Sequence, residues 1–135
     1  MKRPDWNSIW KNFVLNIAQR SPDPKFQVGA VIVTDDNTQV LALGYNGDQR
    51  GGPNCRDSLE TGKSGFIHAE VNALRYARPD ECYLLACNLL PCNDCLKLAA
   101  SYGIKKIVFD KFYERDDSSL SIAKEFGLSL YHYGN

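Results

Sequence analysis

The stretch "PCNDCLKLAASYGIKKIVF", Pro91 to Phe109, sets two cysteines behind a proline, then an apolar run, then a β-branched one. Proline fits the first position of a helix, so a helix is expected from Cys92 to about Tyr102, with "KKIVFD" (Lys105 to Asp110) following as a strand. The same alternation continues on both sides. A helix is expected near His68 to Tyr76 and a strand near Cys82 to Ala86. Downstream come a helix over Ser118 to Phe126 and a last strand, "LSLYHY", Leu128 to Tyr133.

Toward the N-terminus, Trp6, Ile9, Trp10, Phe13, Val14 and Ile17 recur at helical spacing between Asp5 and Gln19. "RSPDP" then breaks the helix, because a residue before proline avoids helical dihedrals. "QVGAVIV" (Gln27 to Val33) is short and apolar without alternation, the pattern of a strand buried on both faces. "QVLALGY" (Gln39 to Tyr45) reads as its hairpin partner across the turn "TDDNT". Asn46 to Gly65, rich in Gly, Asp and Asn, is a long irregular loop of the kind that often carries function. A helix, a hairpin and repeated helix-strand alternation predict an α/β fold, a five-stranded mixed sheet with helices on both faces.

With 135 residues, 44% apolar and 24% charged, the chain suits one domain spanning 1–135. Sixteen basic residues cancel sixteen acidic ones, which argues against a nucleic-acid partner. No window approaches the roughly 18 consecutive apolar residues of a membrane span, and no secretory signal opens the chain. A soluble, cytoplasmic protein is therefore expected. Its five cysteines read as reduced thiols or metal ligands before disulfides.

Taken alone, Cys92 and Cys95 fit a redox couple, half of a structural zinc site or part of a catalytic one. "IHAEVNA" changes the balance by adding His68, one of two histidines in the chain. Three soft or borderline ligands suit a tetrahedral Zn²⁺ with its fourth position open, the pattern of catalytic zinc. Glu70 lies two residues beyond His68, so it need not compete for the metal and can address water instead. H-x-E followed by P-C-x-x-C is the signature of zinc deaminases. A structural four-ligand site, completed by Cys87 or Cys55, is the alternative; Cys82 and Cys87 otherwise read as buried thiols.

"RSPDPKFQVGAVIV", "GYNGDQRGG", "HAEVNAL" and the stretch quoted first resemble the cytidine and deoxycytidylate deaminase superfamily, and most closely its dCMP deaminase branch. That resemblance implies a three-layer α/β/α sandwich and one catalytic Zn²⁺ per chain, held by His68, Cys92 and Cys95. It also implies hydrolysis of dCMP to dUMP, which feeds thymidylate synthesis. Glu70 would take a proton from the activated water, deliver it to N3 as C4 is attacked, and then carry a proton to the departing amine. Asn46 and Ala69 would hold sugar and base, while Phe112 or Tyr113 would lie over them. Lys25 and Arg50 are the candidates for the 5′-phosphate, with Lys111 and Arg115 in reserve. Relatives are typically homo-oligomers, often hexamers, and many respond to dCTP and dTTP.

Blander readings stand beside these. Asn46 before a glycine also suits a turn, the aromatics also suit a core, and single cations are most often solvated. The long loop holds Cys55 and no histidine where relatives often carry ligands for a second zinc. It also lacks the proline that commonly precedes the arginine. Rival functions are deamination of cytidine, guanine or tRNA adenosine, and a non-catalytic, zinc-stabilised nucleotide-binding domain.

Overall fold

The computed structural model describes residues 2–112 and 118–133. Helix α1 (Trp6–Ala18) starts where Asp5 caps it, the carboxylate accepting the Ser8 N–H at 2.8 Å. Its buried positions, Trp10, Val14 and Ala18, follow at four-residue spacing and form one stripe. Strands β1 (Gly29–Val33) and β2 (Val40–Tyr45) form the expected antiparallel hairpin. The turn is fixed by Asp36, which accepts from Thr34 and Thr38, and by Trp10, whose indole N–H reaches Asn37 Oδ1 at 2.8 Å.

Helix α2 (Ala69–Leu74), β3 (Leu84–Leu89), α3 (Asn93–Ser101), β4 (Lys106–Lys111), α4 (Ser118–Glu125) and β5 (Ser129–His132) complete the described elements. The sheet order is β2-β1-β3-β4-β5; β1 is antiparallel to both neighbours, and β3, β4 and β5 are mutually parallel. This is the expected five-stranded mixed sheet.

The period of two along each strand divides the core. Val31, Val33, Leu84, Ala86 and Val108 face α1 and pack on Trp10 and Val14. Ala30, Ile32, Leu85, Cys87, Ile107 and Phe109 face the opposite way, toward buried residues of α2, α3 and α4. Central strands thus bury both faces, and their sequences lack alternation for that reason.

The largest departure from the expected bounds is at β3, which is shifted at both ends. Strand β3 begins at Leu84, not Cys82, and runs on to Leu89. Cys82 still belongs to the turn, with its thiol on Arg78 O at 3.4 Å. Asn88 looks like a strand breaker, but its side chain accepts from Gly29 N and donates to Gln27 O, both at 2.9 Å, which extends the contact with β1. No helix among the described residues is long and apolar enough to cross a membrane.

Candidate active site

His68 and Cys92 each occupy the residue immediately before a helix, with extended dihedrals, His68 before α2 and Cys92 before α3. Because β2 and β3 both run antiparallel to β1, their carboxyl ends open on the same side of the sheet. Leu90 and Pro91 lead from β3 to Cys92, and Ile67 pairs with Gly47 just beyond β2. Two helix starts therefore converge at one edge, where open α/β sheets place their sites.

The convergence brings His68, Cys92 and Cys95 together, their ligand atoms all within 4.8 Å of one another. His68 Nδ1 lies 3.5 Å from Cys92 Sγ and 3.4 Å from Cys95 Sγ. Zn–N bonds of about 2.05 Å and Zn–S bonds of about 2.3 Å at a tetrahedral angle require N···S edges of about 3.6 Å. The donor set fits zinc by type and by spacing. The Cys92 thiol is lowered to about 4, chiefly by the hydrogen bond from Cys95 and then by His68, against the opposing effect of burial. Cys95 is pushed the other way because it keeps the proton that the two sulfurs share. One thiolate is thus ready at neutral pH, and a metal cation would displace the second proton.

Glu70 is buried in the first turn of α2. Burial raises its carboxyl above the usual range, while His68 opposes the shift. It lines a cavity of about 440 Å³ whose wall also includes His68, Ala69 and Cys92. A buried carboxylate in a cavity that His68 and Cys92 also line, with Cys95 completing their donor set, has the makings of hydrolytic chemistry: a cation site, a proton carrier and room for a small substrate.

The other predicted residues divide. Asn46 and Ala69 line the cavity. Lys25 does not; its ammonium donates to Leu59 O at 2.8 Å and to Thr61 Oγ1 at 3.1 Å. Arg50 is exposed in the long loop and Lys111 is exposed at the end of β4, both away from the cavity wall. Phe112 is about half exposed and packs against Phe109 and His132 at ring distances of 5.0 and 4.6 Å. Tyr113 and Arg115 lie outside the described residues.

Sequence reasoning missed three wall residues that the fold brings in from afar. Arg56, in the long loop, meets Asp23 of the "RSPDP" segment in an ion pair at 2.7 Å. Asn93, between the two cysteines, donates to Ser118 Oγ at 2.7 Å and accepts from Ser119 at 3.0 Å, which ties the start of α4 to the metal turn. Only the placement of Asp23 inside a recognisable motif offered a signal; Arg56 looked like any loop cation.

The family described as the cytidine and deoxycytidylate deaminase zinc-binding region matches residues 4–111. The deoxycytidylate deaminase of Homo sapiens is 33% identical over 131 residues, spanning 85% of this chain and 71% of the relative. That of Mycobacterium phage D29 is 32% identical over 130 residues, spanning 82% and 98%. The crystal structure of dCMP deaminase from the cyanophage S-TIM5, in complex with dCMP and dUMP, superposes with a TM-score of 0.83 at 28% identity, covering 98% of this chain and 100% of the other.

Proposed function

Since the chain belongs to the cytidine and deoxycytidylate deaminase family, we propose that it hydrolyses dCMP to dUMP and ammonia. The observation that carries this reading is Glu70, a buried carboxylate in the cavity lined by His68 and Cys92, two members of a His/Cys/Cys donor set. A purely structural zinc site has no use for such a group.

His68, Cys92 and Cys95 would hold one Zn²⁺, with Cys92 and Cys95 as thiolates. Bound zinc supplies a Lewis acid that makes water nucleophilic near neutral pH. Glu70 accepts the proton of the attacking water and delivers it to N3 of cytosine as the new C4–O bond forms. It then takes the proton of the new C4 hydroxyl and passes it to the exocyclic nitrogen, the C4–N bond breaks, and ammonia leaves with C4 as a carbonyl. Its burial, which raises the carboxyl, makes it a better proton acceptor than an exposed glutamate, as a group that takes up and hands on a proton must be. Asn46 and the Ala69 backbone hold sugar and base. By family resemblance Lys25 and Arg50 are the candidates for the 5′-phosphate and Phe112 and Tyr113 for the outer wall, although Lys25, Arg50 and Phe112 do not line the cavity in this conformation.

We extend the reading to a single-domain, cytoplasmic homo-oligomer, hexameric by family habit and open to dCTP and dTTP, whose product supplies thymidylate synthesis. The test is ammonia release by the zinc-loaded protein with dCMP, CMP, deoxycytidine and dCTP in parallel. Preference for dCMP that is lost in Glu70→Gln supports the assignment. Activity on the nucleoside alone removes the phosphate roles, and turnover of none of the four overturns the proposal.

A further inference from the structure

The cavity wall includes a buried ion pair, Arg56 with Asp23, that the mechanism does not use. The Arg56 and Asp23 side chains are only 4% and 2% exposed. Arg56 Nη1 donates to both Asp23 oxygens, at 2.8 and 2.7 Å. The rest of the guanidinium grips its own loop, Nε donating to Ser58 O at 2.8 Å and Nη2 to Glu60 O at 3.1 Å. Burying two charges is costly and adds little net stability, which directs attention to what geometry this pair sets.

The geometry it sets is that of Asn46. One Asn46 amide hydrogen goes to Phe26 O at 2.8 Å and the other to Asp23 Oδ2 at 3.3 Å, while Oδ1 accepts from Val28 N at 2.9 Å. Turning the amide over would set its oxygen against a carboxylate and a carbonyl, so the negative charge of Asp23 fixes which end faces where. Both donors are spent. What Asn46 still offers the cavity is an acceptor lone pair, which suits a hydroxyl group on a ligand.

We propose that Asp23 and Arg56 form a charged clasp of positioning residues: it holds Asn46 as an acceptor toward the substrate's sugar hydroxyl and pins the 56–60 segment beside the cavity. This rests on the nucleotide reading above, but neither residue touches the reacting atoms. The clasp therefore governs binding and selectivity for the hydroxyl, not the chemical step.

The test uses the full, zinc-loaded chain as wild type, Arg56→Gln, Asp23→Asn and the two changes combined. Each protein is assayed with dCMP and with 2′,3′-dideoxycytidine 5′-monophosphate, and by amide hydrogen exchange. In Arg56→Gln, KM for dCMP rises by about tenfold while kcat stays within about threefold, and the preference for dCMP over the dideoxy compound shrinks toward one. Exchange across residues 46–65 speeds up by about tenfold while α3 keeps its protection. The combined variant, neutral on both sides, recovers more than either single change, because no buried charge is left unpaired. A fall in kcat at constant KM, unchanged exchange in the loop, or a combined variant no better than the singles overturns the clasp. Failure of wild type to turn over dCMP would sink the proposed function instead, and hydrogen exchange would still decide for or against the clasp.

Discussion

At the scale of single residues, two kinds of buried group near the sheet edge must be told apart. Glu70 and Cys87 are both enclosed, and burial raises both, Cys87 well above the ordinary thiol range. Cys87 faces the core among aliphatic neighbours, whereas Glu70 faces the cavity. Glu70→Gln keeps the shape and loses the proton carrier, so kcat should fall by about 10²- to 10⁴-fold. Zinc content, measured by metal analysis, stays at the wild-type ratio because the amide replaces none of the three donors. Cys95→Ser should lose the metal. Cys87→Ala should keep it and cost about 1 kcal/mol in urea unfolding, as expected for a small hydrophobe removed from a packed site. Loss of zinc from Cys87→Ala would move that thiol into the donor set.

At the scale of elements, Gly44 lets β2 lie against α2. A Cβ there would sit 2.6 Å from Ala73 N and 2.7 Å from Ala69 O, closer than side-chain carbons come to backbone. Gly44→Ala should therefore push α2 outward, costing about 1–3 kcal/mol by urea midpoint. Turnover should fall with it, since α2 carries Glu70. The β1–β2 turn permits a pH test. Hydrogen bonds from Thr34 and Thr38 lower Asp36 from 3.8 to about 2. A depressed carboxylate stabilises the fold above its unfolded value and loses that contribution as pH falls through the folded one. The stability gap between wild type and Asp36→Asn should thus be constant above about pH 5 and close near pH 2. A gap independent of pH would mean that Asp36 titrates alike in the folded and unfolded chain, so that the threonine hydrogen bonds do not depress it. The elements themselves were legible in sequence because apolar period and turn residues are local signals. β3 was misjudged at both ends because Asn88 stays in the strand through bonds to Gln27 and Gly29, some 60 positions away in the chain, and no local pattern records those partners.

At the scale of the whole molecule, the same distinction separates the readable half of the site from the hidden half. His68, Glu70, Cys92 and Cys95 could be read because each ligand sits at a helix start with fixed short spacing. Asp23 and Arg56 could not, since they are 33 positions apart and their pairing exists only once the long loop folds back. The metal set, too, joins distant parts: His68 comes from the start of α2 and the cysteines from α3, 24 residues or more along the chain. A cation held there would tie the starts of α2 and α3 together, so binding should act on global stability. A ligand at a hundred times its dissociation constant stabilises the folded state by about 2.7 kcal/mol. For a chain of 135 residues that corresponds to a rise in Tm of roughly 10 °C. Chelation should lower Tm by that order and added Zn²⁺ should restore it, as read by differential scanning calorimetry. Cys95→Ser should melt near the chelated value and respond little to zinc. An equal zinc response in wild type and Cys95→Ser would place the stabilising ion elsewhere. A wild-type Tm indifferent to both chelator and zinc would mean that the two helix starts hold their geometry without it.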